Sequence, residues 1–246
     1  MNLEPVDILV IGAHADDIEL SCGGTVALAV DAGQRVGLVD LTGGEMGTRG
    51  TAETRILESA AARDVLGARF REALDFGDGG LLTGREQELQ LIEVIRRTRP
   101  AIVVAPYPDD RHPDHARAGR LVTDAAFYAG LAKLQTGPDT GTAHRPQAVL
   151  YYLLNYPVPP SFVVDISKVW RRKMDAIAAY GTQFYNPQSK EEEPTLLSKK
   201  SFIDWIEGRA RHYGSLIGAD YGEPFFSKQP PKVADLVAAY CGRELS

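Results

Sequence analysis

The chain has 246 residues, and its 27 Lys+Arg against 33 Asp+Glu give a formal charge of −6. With 44% apolar and 24% charged residues it is not a disordered tail or a fibre, and the acidic balance argues against a duplex nucleic-acid partner. Cys22 and Cys241 are too few for a disulfide scaffold or a thiolate zinc site, so a reducing cytoplasm is expected and any metal must be held by His and carboxylate.

In chain order, Asp7–Ala13 (DILVIGA) reads as a buried strand rather than a signal peptide, because no basic segment precedes it and Asp7 interrupts it. Ile18–Asp31 follows as a helix closed by Gly33. Arg35–Thr42 is a second strand, and Thr51–Leu66 a helix stopped by Gly67. Glu72–Phe76 is expected as a third strand, Gln87–Arg97 as a helix ending before Pro100, and Ala101–Ala105 (AIVVA) as another buried strand. Helix runs from Pro113 to Tyr128, and strand from Ala148 to Leu154. Beyond residue 155 the pattern predicts a strand at Phe162–Ile166 and helices at Lys168–Tyr180 and Ser201–Leu216. The segment Gln188–Glu193 reads as a polar loop. The tail, with Gly222, Pro224, Pro230 and Pro231, is expected to be an irregular wrap. No stretch approaches the roughly 20 apolar residues that cross a bilayer, so no membrane partner is expected.

Short apolar strands alternating with helices indicate an α/β fold with a mostly parallel sheet covered on both faces, as one domain over residues 1–246 with a C-terminal extension. Ligands of such sheets gather beyond the carboxyl ends of the strands. Two segments there carry chemistry. Gly12-Ala13-His14-Ala15-Asp16-Asp17 follows the first strand, and Arg111-His112-Pro113-Asp114-His115 follows AIVVA. Taken singly each is bland, since Asp-Asp can merely cap a helix and a lone His–Asp pair is commonplace. Together they hold three of only five histidines. A dinucleotide-binding turn is excluded, because His14 and Asp17 stand where it needs glycines.

A catalytic zinc keeps three protein ligands and an open position. His14 and Asp17, three residues apart across the turn, form a natural pair, and His115 would complete the set. Asp16 would then serve as general base. His112, held by Asp114, could donate to an oxyanion. A Mg²⁺-dependent phosphohydrolase built on Asp16-Asp17 is the rival, but paired imidazoles suit Zn²⁺ better.

The turn Ala13-His14-Ala15-Asp16-Asp17-Ile18-Glu19 and the segment His112–His115 resemble those of PIG-L/LmbE-like zinc-dependent N-deacetylases. The likeness extends to Gly44-Glu45-Met46-Gly47-Thr48-Arg49-Gly50-Thr51, Phe162–Ile166, Tyr180–Phe184 and the IEGRARHYG…GADYGEPF tail, which look most like the bacillithiol-biosynthesis branch acting on N-acetylglucosaminyl-malate. The resemblance implies a Rossmann-like three-layer sandwich, commonly assembled as a homo-oligomer (trimer or hexamer). It implies Zn²⁺ on His14, Asp17 and His115, with Asp16 as base and His112 oriented by Asp114. Arg55 is implied as a substrate-binding residue, and Arg49 shares its argument with less support. The partner implied is a small-molecule N-acetylglucosamine conjugate; a glucosaminyl-inositol or a chitooligosaccharide would use the same core. The family's usual Pro between His and the Asp pair is replaced by Ala15. Some members bring a C-terminal aromatic to the oxyanion, for which Tyr185, Tyr213 and Tyr221 are equal candidates.

Overall fold

The computed structural model describes residues 3–137, 141–189 and 193–241. A seven-stranded sheet in the order β3-β2-β1-β4-β5-β7-β6 organises them. Its first five strands are β1 (Ile8–Gly12), β2 (Val36–Asp40), β3 (Phe70–Ala73), β4 (Ile102–Pro106) and β5 (Ala148–Tyr152), and all neighbours among them are parallel. The helices between them are α1 (Asp17–Asp31), α2 (Ala52–Leu66), α3 (Arg85–Thr98) and α4 (Pro113–Ala129).

Alternation along the strands assigns the two faces. Leu9, Ile11, Val103 and Ala105 pack in one core with Leu91, Ile95, Leu121 and Val122 of α3 and α4. Val10, Val36, Leu38 and Val104 pack in the other, with Ile18 and Val26 of α1, Leu66 of α2 and Ala176 of α5 (Trp170–Ala178). Each strand is thus apolar on both sides, which is why the runs read as continuous rather than alternating. The expected three-layer α/β sandwich with a mostly parallel sheet is present.

Two predicted elements differ. The third strand begins at Phe70, two residues before its expected start at Glu72. Its register is set by β2, where Gly37 pairs with Phe70. A Cβ on Gly37 would stand 2.3 Å from the Phe70 ring, so this close approach admits only glycine.

The larger difference is the tail. Gly222–Ser227 is not an irregular wrap but a strand, β7, inserted antiparallel between β5 and β6 (Phe162–Asp165). Pro224 hides it in the sequence, because proline inside a run normally demotes a strand. Here the Pro224 carbonyl accepts from Leu153 N, so its nitrogen faces the side where β5 has already ended. The Leu153 carbonyl, which the proline nitrogen cannot serve, accepts from Arg209 instead. The chain also holds α6 (Lys200–Ser215), which packs on β7, and the short α7 (Leu236–Cys241). Part of the predicted loop Gln188–Glu193, residues 190–192, lies outside the described residues.

The strand order reverses at β1, with β2 on one side and β4 on the other. Open α/β sheets form their crevice at such a switch point, beyond the carboxyl ends of the strands. Both histidine motifs emerge there, one from β1 and one from the loop after β4.

Candidate metal centre

His14 and Asp16 lie in the turn between β1 and α1. Asp16 precedes the helix with φ 114°, a left-handed conformation costly for any residue but glycine. The carboxylate of Asp17 holds this turn shut: its Oδ2 accepts from Ala13 N at 3.1 Å and His14 N at 2.9 Å. From the opposite side Arg55 Nη2 donates to the Ala15 carbonyl at 2.6 Å and reaches Asp16 Oδ2 at 3.4 Å. Behind the turn, buried Arg71 forks between Asp40 (2.6 and 2.9 Å) and Glu19 (2.5 Å), tying the first turn of α1 to β2 and β3. Burial pushes the Asp40 carboxyl up to about 6, with Arg71 opposing.

His112 caps α4, and Pro113 occupies the first turn, where its missing N–H is harmless. This delivers His115 into the crevice on the helix's inner side. The three predicted imidazoles converge. His112 and His115 stack at 4.7 Å between ring centroids, and His14 lies 4.9 Å from the first and 5.3 Å from the second. Asp17 bridges the motifs: its Oδ2 is 3.4 Å from His14 Nδ1 and its Oδ1 is 3.2 Å from His115 Nε2.

Among the described residues two triads could hold a metal ion, His14–Asp17–His115 and His14–His112–Asp114, each with ligand atoms within 4.8 Å of one another. Their donor chemistry separates them. Asp114 is already occupied, accepting from Gly79 N (2.9 Å), Leu81 N (3.1 Å) and Arg117 (3.2 Å). His112 Nδ1 accepts from Asp114 N at 3.2 Å. Asp17 Oδ1 instead faces the ring nitrogen of His115, itself a metal donor, so the first triad fits a cation better. The electrostatics agree. Burial alone would lower the His14 pKa, yet the Asp17 and Asp78 carboxylates hold it up at about 11. His115 is similarly held at about 9 against burial by Asp17 and Asp110. Asp17 sits well below the carboxylate range, its burial outweighed by His115 and His14. The carboxylates around the two rings therefore favour positive charge in the crevice.

The two remaining cluster members behave differently. Burial pushes Asp16 up to about 7 while Arg55 pulls it down. His112 is lowered by burial and by the neighbouring His115 and His14, which keeps it neutral. Since its Nδ1 accepts a backbone hydrogen, its proton belongs on Nε2.

One expected contact is absent. The Asp114 carboxylate does not hold the His112 ring. It turns toward His14 Nε2 at 3.4 Å and the 79–81 backbone, because those two N–H groups need an acceptor where the loop after β3 meets α4. Arg55 is buried and faces Asp16, not a surface glutamate. Its guanidinium lies against Gly44, φ +69°, where a Cβ would approach it to 2.7 Å. Arg49 is also buried, and its Nη2 donates to Ser189 at 2.8 Å. The three candidate tyrosines stay apart. Tyr221 stacks on Trp170 and bonds Arg211; Tyr213 packs beside Arg209; Tyr185 is half exposed. Among the described residues none of their hydroxyls bonds the cluster.

Sequence reasoning missed Asp78, Asp110 and Asn155. All three follow strand ends, after β3, β4 and β5, so the rule that picked the histidines also reached them. Lacking an adjacent histidine or a motif spacing, Asp78 and Asn155 resemble ordinary loop residues.

Residues 9–126 match the family model PIG-L, described as GlcNAc-PI de-N-acetylase. Diacetylchitobiose deacetylase of Thermococcus kodakarensis is 34% identical over 231 residues, covering 88% of this chain and 80% of that protein. The chain belongs to the PIG-L family. Another relative of this PIG-L member bears a different activity: 4-oxalmesaconate hydratase of Pseudomonas putida, 27% identical over 74% of this chain and 76% of its own length. Among solved structures, the conserved protein TT1542 of Thermus thermophilus superposes with a TM-score of 0.84 at 40% identity, covering 94% of this chain and 98% of that one. That PIG-L member's likeness to the solved structure extends well past the family model, whose match ends within α4.

Proposed function

We propose that this PIG-L member is a zinc-dependent hydrolase that removes the N-acetyl group from an N-acetylglucosaminide, with residues 1–246 acting as one catalytic domain. The observation that carries this reading is the convergence of His14, Asp17 and His115 into one triad with Asp16 and His112 beside it. Zinc bound by the triad supplies Lewis acidity, polarising an amide carbonyl and lowering the pKa of water. The protein's own groups do the rest. Asp16 takes a proton from the attacking water and passes it to the departing nitrogen. His112 Nε2–H donates to the carbonyl oxygen as it gains charge. The C–N bond breaks, leaving acetate and the free amine. Asp114 acts through His14 and the 79–81 loop, not through His112.

For the aglycone, the malyl conjugate of bacillithiol biosynthesis is supported by two buried cations, Arg49 in the loop before α2 and Arg55 within α2, the latter 3.4 Å from Asp16 Oδ2. Arg55 Nε has no hydrogen-bond partner among the described residues, and a carboxylate is the acceptor a planar guanidinium takes best. The chitobiose deacetylase relative favours a second reading, a neutral disaccharide. The hydratase relative favours a third, water addition to an unsaturated acid.

Amine release from N-acetylglucosaminyl-malate, diacetylchitobiose and N-acetylglucosaminyl-inositol separates them. The malyl conjugate is expected to have the highest kcat/KM, and Arg55→Ala to lower it chiefly for that substrate. Faster turnover of the disaccharide would overturn the aglycone. Hydration of 4-oxalmesaconate with no amine from any amide would overturn the reaction class.

A further inference from the structure

The two imidazoles of the triad approach Asp17 through different nitrogens. His14 presents Nδ1, 3.4 Å from Asp17 Oδ2, while His115 presents Nε2, 3.2 Å from Asp17 Oδ1. The far nitrogen of each ring meets a carboxylate outside the triad. His14 Nε2 lies 3.2 Å from Asp78 Oδ1, and His115 Nδ1 lies 3.1 Å from Asp110 Oδ1.

Asp110 is not a loop residue that happens to be near. Its side chain is only 3% exposed. Its Oδ1 also accepts from His112 N at 2.9 Å and from Asn155 Nδ2 at 2.7 Å, while its Oδ2 accepts from Asn155 N at 3.2 Å. Both oxygens are therefore pinned, from the start of α4 and from the end of β5. A carboxylate held by two donors on Oδ1 and one on Oδ2 has a fixed orientation. Asn155 Nδ2 lies 3.5 Å from His115 Nδ1 but is committed to Asp110 Oδ1 at 2.7 Å, and a ring nitrogen 3.1 Å from a carboxylate oxygen is attractive only as N–H. An imidazole with its proton held on Nδ1 has its lone pair on Nε2.

We propose that Asp110, anchored by Asn155, is a positioning residue that holds His115 with Nδ1–H inward and Nε2 toward the metal, so that the two histidines ligate through opposite nitrogens, His14 through Nδ1 and His115 through Nε2. The inference rests on the metal reading above. A carboxylate behind a ligating imidazole orients the ring and raises its basicity, and losing it typically costs about 10–100-fold in affinity or activity. Asp110→Asn keeps the shape but turns one acceptor into a donor, which would face a donor of Asn155 or of His115.

The test uses the full-length protein with zinc. Chelator competition should show Asp110→Asn binding zinc about 10-fold more weakly than wild type, and Asp110→Ala about 100-fold more weakly. Asn155→Ala should fall in the same direction by less. A merely structural role would lower Tm while leaving the zinc affinity of the folded fraction unchanged. Long-range ¹H–¹⁵N spectra of zinc-loaded wild type should show the His115 ring proton on Nδ1 and the His14 ring proton on Nε2. This measurement decides even if the Asp110 variants fail to fold. A His115 proton on Nε2, or wild-type affinity in Asp110→Asn, would overturn the inference while leaving the metal site standing. A wild-type protein that binds no zinc would instead overturn the metal reading and this inference with it.

Discussion

Asp16 carries two costs at once, a left-handed backbone and a carboxyl pushed up to about 7 by burial. Both are tolerable because neighbours constrain it: Asp17 closes the turn and Arg55 grips the Ala15 carbonyl. Strain at a reactive position is a recurring feature of functional sites. Asp16→Asn would remove the proposed base and preserve shape, so zinc content should remain while turnover falls by roughly 10²–10⁴-fold. Near-native kcat in that variant would refute the assignment. The imidazoles give a second prediction. Without metal, His14 holds its proton to about pH 11 and His115 to about 9, so at roughly pH 8 both are protonated. Zinc needs both rings neutral, and its binding at that pH should release about two protons, with affinity rising as pH rises. Calorimetry in buffers of different ionisation enthalpy measures this; zinc uptake without proton release would show that other groups ligate. The convergence of His14, Asp17 and His115 was legible because imidazole and carboxylate stood at close spacing after strands. The partner of Asp114 was not legible, since two residues along a helix start say nothing about which loop will cross them.

At the scale of elements, the first helix is not one continuous rod. It departs from helical geometry at Cys22, φ −141°, and the N–H groups of Gly24 and Thr25 beyond that kink are satisfied by Glu223 at 2.9 and 2.7 Å. Glu223 belongs to β7, and buried Lys173 of α5 reaches it at 2.6 Å. The late strand thus caps the second half of the helix that carries Asp17. Lys173→Met would leave this carboxylate buried without its cation, at a cost of about 3–5 kcal/mol. Denaturant unfolding should show that loss, with zinc affinity of the folded protein unchanged; a change under about 1 kcal/mol, the scale of an exposed ion pair, would contradict the role. By contrast, α2 was readable to within one residue, from Thr51 as expected to Ala52 as found. Thr51 and Thr54 cap it reciprocally, with N–H to hydroxyl distances of 3.2 and 2.7 Å, and Gly67 ends it at φ 80°. Thr51→Ala should cost about 1 kcal/mol by the same measurement. Local signals of this kind are written in adjacent residues. The β7 strand was obscured because its stability comes from β5 and β6, both far earlier in the chain, and its Pro224 argues locally against it.

For the whole molecule, the sheet order places β1 beside β4, and this adjacency brings together two motifs about 100 residues apart in sequence. The fold class was legible because five apolar strands alternating with helices admit few other arrangements. The second layer of the site was not, since Asp78, Asp110 and Asn155 arrive from three separate loops. The most direct test of the central claim is acetate release from N-acetylglucosaminyl-malate and diacetylchitobiose by zinc-loaded wild type and His115→Ala, compared at equal folded fraction. Wild type should release acetate from at least one of the two, and His115→Ala should lose both zinc and turnover. Acetate release that survives His115→Ala undiminished would contradict a centre built from the two histidine motifs.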